Sequence, residues 1–292
     1  MKGIIATSDW HLSSVRPICR TDDDWVATQK KHINAVSNAL KPDYDMVIAG
    51  DLFDTPTVTP VITNTTIDFI TSLNNPVHII AGNHDEPYHS IARIQESSFG
   101  AIRTIVPNSE GLFDFGTIAK DESHYPYVAV HTFAVPTEND KPPMRESVTA
   151  QDLCSMFPNT PIIIVGDNHT PWHKRIGNQL VVNCGCLMQR TAAEANKPCG
   201  FYIIYPDTLE VDYQDLSVLS DGCIDTTYLE NRKEKELASS RYDALVEELL
   251  SSSKEEYDFI QTLELYIRNN ELADDCNKIL MELIAYIKEK KI

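Results

Sequence analysis

The sequence predicts an α/β fold: two packed sheets flanked by helices, with a small helical appendage at the C-terminal end. Three observations predict it. Five short apolar, β-rich runs punctuate the first 170 residues. Segments with helical spacing separate the first three runs. From about residue 112 the texture changes to short strands and tight turns.

The five runs are GIIAT (3–7), MVIAG (46–50), VHIIAG (77–82), YVAVHTF (127–133) and IIIVG (162–166). Continuous apolar runs of this length suit strands buried on both faces. Trp25, Val26, Gln29, Ile33, Val36 and Leu40 fall on one helical stripe, introduced by the acidic TDDD. Ile62, Thr66, Phe69, Ile70 and Leu73 mark a second helix, and Ile91 to Phe99 a third. Strand and helix in alternation imply crossover units and a parallel or mixed sheet. LFDFGTIAKD reads as a hairpin; QLVVNCGC (179–186) and GFYIIYP (200–206) continue as strands, suggesting a second sheet packed on the first. Beyond residue 230 the chain turns helical. Leu237, Leu245, Leu249 and Leu250 form one stripe, and Leu272, Cys276, Ile279, Leu283 and Ile287 another. The expected organisation is therefore a catalytic domain over 1–215 and a helical region over 216–292. That region either packs on the core or docks a partner helix.

Composition narrows the function. Hydrophobic content of 42% with 11 Gly and 16 Pro is that of a soluble globular protein. No apolar run approaches the roughly 18 residues of a membrane span, and the apolar stretch of MKGIIATSDWH is too short for a signal peptide. A cytoplasmic location is expected. Seven scattered Cys fit reduced thiols better than a disulfide framework, and Cys184-Gly185-Cys186 lacks the spacing of a zinc knuckle. The net charge of −18 argues against binding nucleic acid mainly by phosphate neutralisation. Its ordinary reading is solubility. No glycine-rich nucleotide cradle of the G-x-x-x-x-G-K-[ST] or G-x-G-x-x-G kind is present.

Chemistry collects after the apolar runs. The first leads into Ser8-Asp9-Trp10-His11, the second into Gly50-Asp51-Leu52-Phe53-Asp54, and the third into Gly82-Asn83-His84-Asp85. The fourth contains His131, and the fifth delivers Asp167 and His169. Ligands of open α/β sheets bind beyond the carboxyl ends of the strands. If the five strands share one sheet, their polar ends meet on one rim. Asp, His and Asn offer the oxygen and nitrogen donors of Mn, Fe or Zn sites. There are enough here for two ions bridged by a carboxylate such as Asp51, a device suited to phosphoester hydrolysis. Each piece alone has an ordinary explanation, since Gly-Asp and Gly-Asn are common turns. Five in succession are not explained by turn chemistry. His32 and His78 read as structural, and His89, His124 and His173 as exposed.

The ordered set D-x-H, G-D-x-x-D, G-N-H-D, a strand His and G-x-x-H resembles the calcineurin-like metallophosphoesterases over residues 9–169. PDYDMVIAGDLFDTPTVTP and CGCLMQR followed by GFYII resemble the SbcD-type DNA-repair nuclease branch, with Cys186 where a Ser is usual. The opening SDWHLSSVRPICRTDDDW is similar to bacteriophage-encoded members. The resemblance implies a two-sheet metallophosphoesterase sandwich and two divalent ions, with Mn²⁺ as the working ion. Asp9, His11, Asp51 and His169 would hold the first ion; Asp51, Asn83, His131 and Asp167 the second. His84 would be general acid, oriented by Asp54, with a bridging hydroxide as nucleophile. It also implies a DNA substrate, an SbcC-like coiled-coil ATPase partner and a possible homodimer.

Two departures stand out. Asp167 occupies a position where the family has His, which lowers the site's formal charge by one unit and favours a harder ion such as Mn²⁺ over Zn²⁺. The SbcD-type capping domain is not evident after residue 210. The alternatives are a phosphodiesterase for small nucleotides or nucleic-acid ends, and a non-catalytic subunit with a degenerate metal site.

Overall fold

A computed structural model describes residues 3–106, 127–220, 222–227 and, further on, residues 266, 267, 278, 280 and 281. The chain divides into two compact units, Met1–Thr226 and Thr227–Ile292. The hairpin expected in LFDFGTIAKD, His124 and the leucine stripes beyond residue 230 lie outside the described residues. Among the described residues, no helix is long and apolar enough to cross a membrane.

The first unit is built on two principal sheets. One has the order β11-β10-β1-β2-β3, from Glu210–Asp215, Gly200–Tyr205, Gly3–Thr7, Tyr44–Ala49 and Val77–Ile80. Its β1, β2 and β3 are parallel, while β10 and β11 run antiparallel at one edge. The other has the order β4-β7-β9-β8, from Tyr127–His131, Ile162–Gly166, Gln179–Asn183 and Trp172–Ile176. There β4, β7 and β9 are parallel, and β8 is the antiparallel edge. Two-residue strands β5 (Ala134–Val135) and β6 (Val148–Thr149) pair separately.

Alternate residues of each strand go to different layers, which is why the runs are apolar on both faces. Ile4, Ala6, Val47 and Ala49 of the first sheet meet Ala129, Ile162, Ile164 and Val182 of the second in a buried layer between them. Ile5, Met46, Ile48 and Ile79 point the other way, onto helices α1 (Trp25–Ala39), α2 (Pro60–Ser72) and α3 (Ser98–Ile105). Val128, Ile163, Val165 and Val181 cover α4 (Ala150–Met156) on the far side of the second sheet. The layers therefore run helix, sheet, sheet, helix. The acidic start of α1 acts as expected: the Asp24 side chain accepts the Ala27 N–H at 2.9 Å.

Three expectations change. The five apolar strands do not share a sheet: the first three lie in one and the fourth and fifth in the other. GFYIIYP joins the first sheet, as β10 paired with β1. Strands buried on both faces read alike in either sheet, so local pattern could not assign them. The third helix splits into a 3₁₀ segment, Ile91–Glu96, and α3. Ser97 interrupts it, because its hydroxyl caps α3 by accepting the Gly100 N–H at 3.2 Å.

The two sheets are in close contact at their carboxyl ends. A Cβ on Gly166, at the end of β7, would stand 2.1 Å from the Ala49 carbonyl oxygen of β2. A Gly166→Ala variant therefore has to push the sheets apart. We expect it to lose about 1–3 kcal/mol, the usual cost of overpacking, read as a lowered Tm by calorimetry.

Candidate metal centre

The loops that leave β1 and β2 continue side by side past the strands. The N–H of Asp9 donates to the Gly50 carbonyl, that of His11 to Asp51 and that of Leu12 to Leu52, each at 3.0 Å. This ladder lays Asp9 and His11 beside Asp51. All three take left-handed backbone, with φ of 51° at Asp9, 45° at His11 and 51° at Asp51. Asp and His tolerate that region better than most side chains. The third loop is tied in by Asp85. Its buried carboxylate accepts the N–H groups of Leu52 (3.1 Å), Phe53 (2.9 Å) and Gly82 (2.9 Å). Gly82 has no alternative there, since a Cβ would lie 2.1 Å from Asp51 Oδ1. The His84 N–H then donates to Asp51 Oδ1 at 2.9 Å.

The second sheet contributes from across the gap. His131 donates from Nδ1 to the Ala49 carbonyl at 2.8 Å, which leaves Nε2 3.2 Å from Asn83 Oδ1 and 3.4 Å from Asp51 Oδ2. The Asp167 N–H donates to Asp9 Oδ2 at 3.0 Å. His169 brings Nε2 to 3.2 Å from His11 Nε2 and 3.5 Å from Asp9 Oδ1.

Donor atoms of Asp9, His11 and His169 thus lie within 4.8 Å of one another, as do those of Asp9, Asp51 and His131. Asp51 Oδ2 stands between the two groups, 3.6 Å from His11 Nε2. Of the sequence-derived candidates, Asp9, His11, Asp51, His131 and His169 converge directly, and Asn83 reaches them through His131. His84 lies beside His11 with rings edge to face, centroids 4.6 Å apart, and is exposed. Its Nδ1 donates to the backbone carbonyl of Asp54 at 2.8 Å. The Asp54 carboxylate pairs with Arg190 at 2.6 Å, and the same oxygen lies 3.7 Å from His11 Nδ1 and 4.0 Å from His84 Nδ1. Asp167 stands apart from both donor groups: Arg145, stacked on Phe133, holds both of its carboxylate oxygens at 2.8 Å.

Sequence reasoning missed Asp85, Arg145, Arg190 and Glu194 as site residues. Glu194 accepts from His169 Nδ1 at 2.7 Å, and its one local signal was the capping box Thr191-x-x-Glu194. Cys186 lies against the same pair, and burial pushes its thiol well above the usual range.

The electrostatics ask for cations. Burial raises Asp9, but His169, His131 and His11 outweigh it and hold the carboxylate below its usual range. Burial brings His11 down to about 4 despite Asp51 and Asp9. Burial and the neighbouring Asp51 charge lift Asp85 to about 7, against its three N–H donors. Burial also opposes charge on His131 and His169. Asp51 and Asp9 around the first, and Asp9 and Glu194 around the second, nonetheless raise each to about 10. A divalent ion fits this set. It would satisfy two imidazole nitrogens that face each other and neutralise buried carboxylates, and these are nitrogen and oxygen donors of the kind such ions take.

A buried Asp/His cluster at the meeting rim of two mixed sheets defines a candidate metal-binding protein. The calcineurin-like phosphoesterase family model matches residues 3–179, and the chain belongs to that family, the metal-dependent phosphoesterases. No curated protein matches its sequence. Among solved structures it is similar to an archaeal phosphodiesterase, at 15% identity and a TM-score of 0.42, covering 73% of this chain and 99% of that one. It is also similar to a Thermus thermophilus protein, TT1561, at 12% identity and a TM-score of 0.42, covering 73% and 98%. A mutant of Vps29 from Entamoeba histolytica aligns at 14% identity and a TM-score of 0.39, covering 73% and 99%.

The histidine shifts set the sign of a pH effect. A group whose pKa is raised on folding, here from 6.5 to about 10, adds stability that is complete below pH 6.5 and lost as pH rises toward 10. Chelator-treated protein should therefore lose Tm across that interval. Metal-loaded protein, in which an ion replaces those protons, should lose less. A flat Tm for the stripped protein would contradict this account.

Proposed function

We propose that the protein is a two-metal phosphodiesterase of the SbcD nuclease type, working with Mn²⁺ on DNA. One observation carries the reading. Asp51 lies between two groups of imidazole and carboxylate donors drawn from both sheets. Asp9, His11, Asp51 and His169 would hold one ion, and Asp51, Asn83 and His131 the other. Asp167, held by Arg145, would join the second set by turning a carboxylate oxygen toward it. When bound, such ions supply an activated water and neutralise charge on the phosphoryl oxygens.

The chain's own groups supply the rest. Asp51 sets the spacing of the two donor groups. With Nδ1–H donated to the Asp54 carbonyl, His84 in its imidazolium form would carry a second N–H, on Nε2, to give to the leaving oxygen. Arg190 holds the Asp54 carboxylate and so steadies the loop that carries this carbonyl. Burial of Asp9, His11, Asp51 and His131 keeps bulk water from competing for the donors.

The −18 charge favours a second reading, a phosphodiesterase for small nucleotides or nucleic-acid ends. Assays with Mn²⁺ separate the two. The nuclease reading expects cleavage of single-stranded or blunt-ended DNA, falling about 10²–10⁴-fold in His84→Ala with metal content retained. Hydrolysis of bis-p-nitrophenyl phosphate with no DNA cleavage, across salt concentrations and with a coiled-coil ATPase partner added, would support the small-substrate reading. Metal analysis tests Asp167. If it is a ligand, Asp167→Ala loses one ion while Arg145→Ala keeps both. Equal metal content in the wild type and Asp167→Ala would remove it from the ligand set.

A further inference from the structure

Glu194 is a carboxylate that the ligand sets above leave without a role. It is 6% exposed, and its two oxygens serve different neighbours. Oε1 lies 2.7 Å from His169 Nδ1. Oε2 accepts the backbone N–H of Arg190 at 2.7 Å and of Thr191 at 3.0 Å. The Thr191 side chain completes a capping box with the Glu194 backbone.

The comparison with His131 shows what Oε1 does. His131 has a fully buried side chain, and a strand carbonyl, that of Ala49, fixes its Nδ1. The His169 side chain is 30% exposed at the rim, and its Nδ1 meets Glu194 in place of a strand carbonyl. Capping the short 3₁₀ turn Ala192–Glu194 uses Oε2 alone, so turn formation does not account for the contact to the ring.

We propose that Glu194 is a positioning residue of the metal centre: it anchors His169 through Nδ1 and thereby presents Nε2 to the ion. The inference rests on the metal-site reading above. A carboxylate on the far nitrogen fixes the orientation of a ligating imidazole and strengthens it as a donor. Here the same carboxylate is locked by the backbone of Arg190, whose guanidinium holds Asp54 beside His84. One loop thus steadies a metal ligand and the partner of the proposed acid together.

The test uses full-length protein stripped of metal and titrated calorimetrically with Mn²⁺, and with Co²⁺ followed by its visible spectrum. Glu194→Ala should weaken one binding step by about 10–100-fold and alter the Co²⁺ spectrum. Glu194→Gln keeps one acceptor oxygen but turns an NH₂ toward other donors, so it should fall between; it also serves if the alanine variant does not fold. Thr191→Ala, which loosens the turn without touching His169, should lower Tm and leave affinity and spectrum as in the wild type. The inference is overturned if Thr191→Ala reproduces the loss, or if the Glu194 variants keep wild-type affinity and spectrum while the wild type binds metal. A wild type that takes up neither ion overturns the metal-site reading and this inference with it.

Discussion

The hydrogen bond from His131 to the Ala49 carbonyl crosses from one sheet to the other, and the centre depends on it. It sets the only face of His131 that can reach Asp51 and Asn83. It ties β2 to β4 at their carboxyl ends. Side chains have no room around it: a Cβ on Gly50 would lie 2.2 Å from His131 Nδ1, and one on Gly166, in the neighbouring β7, would lie 2.1 Å from Ala49 O. In the low dielectric of this gap, each unpaired donor or acceptor would be costly. The ladder of backbone bonds between the Asp9–Leu12 and Gly50–Leu52 loops satisfies the chain and leaves the side chains to converge.

Around this gap, the supporting groups do different work. Asp85 collects three backbone N–H groups and so binds the second and third loops into one unit. Ser8 bonds to the Gly185 carbonyl at 2.9 Å and links the first loop to the segment after β9. Glu194 and Arg190 then hold the more exposed side. Rigid strands thus govern the buried half of the site, and a side-chain network governs the outer half.

Much of this was legible before any coordinates. Asp9, His11, Asp51, His131 and His169 follow or end apolar runs, and strand ends are where such a fold presents side chains. The helix stripes of Trp25–Val36 and Ile62–Ile70 likewise face the core. The sheet assignment was not legible, because a strand covered on both faces carries no alternation to say which sheet it joins. Glu194 and Arg145 were hidden for another reason. Each acts across more than 20 positions of chain, on His169 and Asp167 respectively. Nothing in their own neighbourhoods marks those contacts. Asp54 was expected to orient His84, and its backbone carbonyl meets His84 Nδ1 at 2.8 Å with its carboxylate 4.0 Å from the same nitrogen.

Asp167 adopts φ of 83°, the left-handed backbone also found at Asp9, His11 and Asp51. Few side chains accept it easily, and Asp, Asn and His are among those that do. A switch between imidazole and carboxylate at this place therefore leaves the fold of the loop unchanged. Among residues with a side chain, those that accept this backbone most readily can also bind a cation or pair with one. Chemistry at this corner of the site can drift between ion preference and ion pairing while the architecture that holds it stays still.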